Sequence, residues 1–288
     1  MIYLDNNATT RIDPRVLEAM MPFLTDQFAN AASTHPFGVT AHEAVKEARQ
    51  HICDLLGCEM HELVFTSGAT EAINMAMKGV AEQYQSKGKH IITVQTEHSA
   101  VLDVCRHLEK HGYTVTYLLV QPDGLLDLEE LRKAIRPDTI LVSVMAVNNE
   151  TGVIQPIAAM AEIAHQAGAF MMTDATQAVG KMPIDVNAWD VDLLAFSGHK
   201  FYAPKGIGGL YIRQRRPRRL MLNALLHGGG HERGFRSGTL NVPGIVGLGK
   251  AITLEETASA GHQPIALLRD LLETGILNAV PDAKINGS

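Results

Sequence analysis

Apolar residues recur at helical spacing in one stretch and in strand-length runs in the next, and the two patterns alternate along most of the chain. Ala41, Val45, Ala48, Ile52 and Leu55 share one helical face, and Gly57 is placed to close that helix. Leu63-Val64-Phe65-Thr66 predicts a strand, and Ile73, Ala76, Met77, Val80 and Tyr84 predict the helix after it. The order repeats with strand 90–94, helix about 99–111, strand 114–120, helix about 127–135 and strand 139–147. A helix near 157–167 and strands at 170–174, 192–197 and 208–213 complete the run. Strands joined through helices need crossover connections, so the pattern predicts an α/β fold with a largely parallel sheet covered on both faces. From Pro243 onward the pattern is helical, with Ile245, Leu248, Ala251 and Ile252 on one face. A second helix, about 263–278, carries Leu267, Leu268, Leu271, Leu272 and Ile276. No strand pattern follows before Ser288, so this tail is expected to be an incomplete second domain.

Bulk composition adds exclusions. With 288 residues and 46% hydrophobic content, the chain is long enough to bury a sizeable core. No apolar run reaches the length of a membrane span, and Met1 to Asn7 has neither the basic nor the apolar region of a secretion signal, so a cytoplasmic protein is expected. A net charge of −6 gives no general attraction to nucleic acid or anionic membrane. Arg213, Arg215, Arg216, Arg218 and Arg219 form one basic cluster, read as a solvated connection in preference to a phosphate-backbone site. Cys53, Cys58 and Cys105 are too few and too irregular for a disulfide framework or a zinc site. Cys105 shares an apolar helical stripe with Val101, Leu102 and Leu108, which predicts a core position. His107 and His111 stand four apart on a helix, but Glu109 and Lys110 mark that stretch as solvated, and no metal is expected.

Ligands of open parallel sheets bind at the carboxyl ends of the strands, so the polar residues there carry the chemistry. Ser67-Gly68-Ala69-Thr70-Glu71 is a glycine turn opening a helix, suited either to an anion cup with the Thr70 hydroxyl or to plain N-capping. His98 follows strand 90–94 and would stack on a flat ring or move protons, unless it is structural. Asn148-Asn149-Glu150-Thr151-Gly152 would hold a carboxylate or phenolic oxygen, or only turn the chain. Asp174 ends a strand among apolar neighbours and needs a cationic or hydrogen-bonding partner, and Gln177 is placed to donate to the same ligand. Lys200, in Ser197-Gly198-His199-Lys200, ends a buried strand beside the glycine-rich segment 204–209, where desolvation would free its amine to form an imine. A phosphate cup, an imidazole, a buried aspartate and an imine-forming lysine together describe a site for pyridoxal 5'-phosphate.

These residues lie in longer matching stretches: YLDNNATT (3–10), NAASTHPFG (30–38), FTSGATEAIN (65–74), TEHSAV (96–101), VNNETGVIQP (147–156), TDATQAVGK (173–181), SGHKFYAPKGIGGLYI (197–212) and GGGHERGFRSGTLNV (228–242). Together they resemble the cysteine desulfurases of the NifS/IscS type, within the class V aminotransferases of the fold-type I pyridoxal-phosphate enzymes. The resemblance implies a mostly parallel seven-stranded sheet and residue roles at this cofactor. Lys200 would carry it, and His98 would stack over its ring and assist proton transfer. Asp174 would meet the ring nitrogen and Gln177 the phenolic oxygen. Ala69 would contact the cofactor, and Thr70, Ser197 and His199 would hold its phosphate, with Asn149 near the substrate carboxylate. Thr239 would reach the phosphate of a neighbouring subunit, implying a homodimer.

The implied reaction converts L-cysteine to L-alanine and leaves sulfur as a persulfide on an enzyme cysteine. The sulfur acceptor would be an iron–sulfur scaffold, a SufE-like protein or a tRNA-thiolation relay. The family's nucleophilic cysteine and carboxylate-binding arginine lie in its C-terminal region, beyond Ser288, and the nucleophile's role passes to none of Cys53, Cys58 and Cys105. The implied division is an N-terminal arm over 1–14 belonging to the small domain, a cofactor-binding domain over 15–255, and the start of the small domain over 256–288. Other readings are a selenocysteine lyase, another class V enzyme, or a non-catalytic cofactor-binding scaffold or half of a split enzyme.

Overall fold

The computed structural model describes residues 1–258 and 262–287. Its centre is a sheet of β1 (Leu63–Thr66), β2 (His90–Val94), β3 (Thr114–Leu118), β4 (Thr139–Ser143), β5 (Phe170–Asp174), β6 (Leu193–Ser197) and β7 (Gly208–Ile212). The spatial order is β1-β7-β6-β5-β4-β2-β3. The pairings of β2 with β3 and β4, β4 with β5, and β5 with β6 are parallel. β7 runs antiparallel to both its neighbours. The segment 198–207 is too short for a helical crossover, so the chain can only turn back on itself there.

Apolar runs that are continuous in sequence are explained by burial on both faces. Met171 and its sheet-mates Val142 and Leu194 face α2 (Pro36–Leu56), α6 (Ile157–Gln166) and α7 (Val242–Ala258). Met172, Leu141 and Ala195 face α3 (Ala69–Gln83) and α4 (Ser99–Glu109). α5 (Leu128–Ala134) lies between β3 and β4 in sequence. α2 ends at Gly57, whose φ of 69° is the left-handed cap its sequence announced. It begins earlier than the apolar stripe, at Pro36, because the His35 ring accepts from the Gly38 N–H. α1 (Pro14–Leu24), which the periodicity does not single out, is capped by Asp13 and packs on α7.

Three expectations need correction. The strand expected over 139–147 has a regular ladder only to Ser143. Beyond it β2 has ended, and the Met145 N–H is taken by the Glu97 carboxylate instead of a strand carbonyl. β3 likewise ends at Leu118, short of the expected 120. The arginine cluster is a solvated connection only in part: Arg213 is buried against Asp190 and Val191 O, Arg215 pairs with buried Glu62, and Arg218 pairs with Asp190 and Asp192. Three of the five charges are thus met within the chain, while Arg216 and Arg219 are exposed.

α7 sets Ile245, Leu248, Ala251 and Ile252 into the core as its spacing predicts. α8 (His262–Ala279) does not: Leu267, Leu268, Leu271 and Leu272 are 65–70% exposed. Of the expected small-domain segment 256–288, residues 259–261 and Ser288 lie outside the described residues.

Candidate active site

The carboxyl ends of β1, β5 and β6, together with the loops after β2 and β4, converge on one cavity of about 680 Å³. That volume lies in the usual range for small-ligand and cofactor sites, about 300–1,000 Å³. Of the ten residues singled out for the cofactor, nine line it: Ala69, Thr70, His98, Asn149, Asp174, Gln177, Ser197, His199 and Lys200. Thr239 does not; it is exposed, in the segment after the turn at Glu232–Gly234.

At one end of the cavity is the start of α3. Its N-cap is Gly68, with no side chain bonding the helix N-terminus. Neither Ser67 nor Thr70 caps it, so the first-turn N–H groups keep their capacity for an anion. Glycine is required around this turn. A Cβ on Gly208 would collide with the Phe196 carbonyl and come within 2.7 Å of the Gly68 Cα. Close approach of β7 to the turn brings Ser197 alongside: a Cβ on Gly68 would lie 3.4 Å from the Ser197 Oγ. Glu71 steadies the turn by accepting from Ser67 N at 2.7 Å and from Arg236 Nε at 2.7 Å. Burial raises its carboxyl, but these bonds outweigh that and hold it below the ordinary value.

At the other end Asp174 is 5% exposed, and one oxygen accepts from Thr176 N at 2.9 Å. Burial raises its pKa; the Thr176 bonds and the attraction of His98 and Lys200 oppose the rise. Lys200 leaves β6 through a tight turn, and its amine donates to the carbonyls of Asn7 and Ala8 at 2.8 Å each. Burial lowers its pKa, against the pull of Asp174, Asp5 and Glu150. His98 is the N-cap of α4, and its Nδ1 accepts from Ala100 N at 3.1 Å. The proton of a neutral ring is therefore on Nε2. His199 Nδ1 lies 3.0 Å from the Thr9 hydroxyl, and burial with the nearby Lys200 and Lys205 lowers its pKa.

Strand-end logic missed one wall. Asp5, Asn7, Ala8 and Thr9 of the N-terminal arm line the cavity, and Asn7 is bonded to Asn149, Gln177 and Lys200. Nothing local places that arm; YLDNNATT could be flagged only as a matching stretch. Gln177 bonds Asn7 O through its amide and accepts from Lys181 at 2.6 Å. None of the three cysteines lines the cavity. Burial pushes Cys105 up to about 12, and contact with Cys53, then burial, raises Cys58. Among the described residues no group of three or more His, Cys, Asp or Glu is arranged to hold a metal, and no helix is long and apolar enough to cross a membrane.

The site fits pyridoxal phosphate by its donor set: an anion cup, a buried carboxylate with an oxygen to spare, an amine with a lowered pKa and an imidazole lining the same cavity. The buried Thr176 hydroxyl, which lines the cavity, has no hydrogen-bond partner within the protein. A sheet of this order, with a lysine in the connection between the antiparallel strands β6 and β7, is that of a pyridoxal-phosphate enzyme of the fold-type I class. The aminotransferase class-V family matches residues 2–288, and the chain belongs to it. It is 56% identical to the cysteine desulfurase IscS of Pectobacterium carotovorum over 99% of this chain and 71% of that protein. Among solved structures, a NifS-like protein superposes with a TM-score of 0.92 at 41% identity, covering 96% of this chain and 76% of the other. SspA, solved in complex with cysteine, gives 0.84 at 43% identity over 88% and 72%.

Proposed function

We propose that this chain carries the cofactor site of a cysteine desulfurase: L-cysteine enters, L-alanine leaves, and the sulfur atom passes to a thiol as a persulfide. The step balances, because the acceptor thiol gains the sulfur as S–SH while the substrate carbon receives a hydrogen in place of its own S–H. The observation that carries the reading is one cavity holding the Lys200 amine, the Asp174 carboxylate and the open N-terminus of α3.

Bound pyridoxal phosphate supplies an aldehyde and an electron-withdrawing ring. The chain's residues do the rest. The α3 N–H groups, Thr70, Ser197 and His199 bind the phosphate, and Asp174 keeps a proton on the ring nitrogen. His98 covers the ring face and presents an Nε2 proton. Lys200, with a lowered pKa, has a larger neutral fraction than an exposed lysine and so would hold the cofactor through its amine and move protons at the substrate carbon. Gln177 is assigned to the phenolic oxygen and Asn149 to the substrate carboxylate. Thr239, turned outward, is assigned to the phosphate of a second copy, making the unit a homodimer. The acceptor thiol is none of Cys53, Cys58 and Cys105, which lie away from the cavity with disfavoured thiolates or buried positions. The onward acceptor is a sulfur-carrier or iron–sulfur scaffold protein, and the compartment is the cytoplasm. The arm 1–14 and the segment from 256 onward are assigned to the small domain and 15–255 to the cofactor domain.

The test is incubation of the protein, within its complete polypeptide, with pyridoxal phosphate, L-cysteine and a reductant. Stoichiometric alanine and sulfide are expected, together with a borohydride-stable pyridoxyl adduct on Lys200. A yellow, folded protein that releases no alanine overturns the desulfurase reading; an adduct elsewhere overturns the site.

A further inference from the structure

Behind the wall shared by His98 and Met145 lies a carboxyl group that the mechanism above does not use. Glu97 is 6% exposed. One of its oxygens accepts from Met145 N at 2.5 Å, and the other is buried with no partner. Its position is fixed from two sides. Its own backbone continues directly into His98, the cap of α4, and its side chain anchors the segment that continues β4 past Ser143. The adjacent residue, Ala146, donates to the carbonyl of Asp174. Glu97 thus ties together three stretches that line the cavity: those of His98, Met145 and Asp174.

We propose that Glu97 is a positioning residue that stays uncharged behind Asp174, so that of these two carboxyls only Asp174 carries negative charge. Two carboxylates in one dry region cannot both ionise cheaply, and the proton goes to the less well solvated one. Asp174 has the Thr176 N–H on one oxygen and Lys200 and His98 attracting it across the cavity. Glu97 has a single N–H for two oxygens. The titratable groups against it are Asp174 from β5 and the Cys105 thiol from α4, and neither favours a second negative charge. Burial first, and then Asp174, push its carboxyl well above the usual range.

The functional consequence rests on the cofactor reading, but the protonation does not. Infrared spectra of the full chain, without and with pyridoxal phosphate, would show one protonated-carboxyl C=O stretch at neutral pH. The band should vanish in Glu97→Gln and persist in Asp174→Asn. Glu97→Gln keeps an acceptor for Met145 N and should keep the fold, shown by an unchanged circular dichroism spectrum. Its cofactor Kd should stay within about threefold of the parent at neutral pH, whereas Glu97→Leu, with no acceptor for Met145 N, should weaken binding about tenfold or more, the worth of one buried hydrogen bond. A band that survives Glu97→Gln and disappears in Asp174→Asn would put the proton on the wrong carboxyl and overturn the proposal; absence of any band would do the same. If the band behaves as expected but no adduct forms at Lys200, the cofactor reading fails alone.

Discussion

Lys200 shows how one side chain's chemistry is set by what surrounds it. Its amine is turned into the cavity and bonded to two carbonyls of the arm, and desolvation favours its neutral form while Asp174 pulls toward the charged one. The sign follows. Adduct formation needs the neutral amine, so its rate should rise with pH and level off at a midpoint below 10.5, the value for an unperturbed lysine. Replacing Asp174 by Asn removes an attraction that raises the lysine pKa, so the midpoint should fall further. Trapping the pyridoxyl adduct with borohydride across a pH series measures both. A midpoint that rises in the Asp174 variant would show that the two groups do not interact as described. The sequence showed the lysine and the aspartate as strand-end residues, but not that the same cavity would hold Glu71, Thr176 and the arm residues.

Among the elements, α2 and β1 are joined through a buried ion pair that their sequences do not advertise. Arg49, on α2, donates to Glu232 at 2.6 and 3.0 Å and to the Leu63 carbonyl at 2.6 Å, while Glu232 also accepts from Phe65 N. Both charges are removed from water, and each depends on the other. Glu232→Ala would strand the guanidinium and the Phe65 N–H, so a loss of about 3–5 kcal/mol in denaturant-induced unfolding is expected. A loss under about 1 kcal/mol would mean that water reaches the gap. Most helices and strands were legible because their apolar positions repeat at 3.6 or fill short runs. Two failures have identifiable causes. The periodicity does not single out α1 although Asp13 caps it and Pro14 opens it, and it predicts too long a β4 because an apolar run does not say where its neighbour ends.

For the whole molecule, the assignment of Thr239 to a second copy makes a site that two chains share. Lys200→Ala and Thr239→Ala proteins would each be defective alone, the first losing the adduct and the second binding cofactor weakly. Mixed dimers should regain up to one intact site each, with Lys200 from one subunit and Thr239 from the other, read as tight cofactor binding and adduct formation on the Thr239→Ala chain. No recovery on mixing, in a sample shown by sedimentation to hold mixed dimers, would place Thr239 outside the site. The outer surface offers apolar area for such contacts: Leu17, Met21 and Leu24 of α1 and Phe28 and Phe37 beyond it are all exposed.

The sequence alone determined the alternation of helices and strands, the doubly covered sheet and the strand-end residues, because periodicity and turn chemistry are local and each residue carries its own share. Tertiary structure decided what depends on distant segments meeting. The arm 190 residues before His199 docks on the Lys200 turn through Thr9, arginines that look solvated find buried acids, and Glu97 is buried against the segment that follows β4. Burial and partner identity set charge, and neither is a property of any residue by itself.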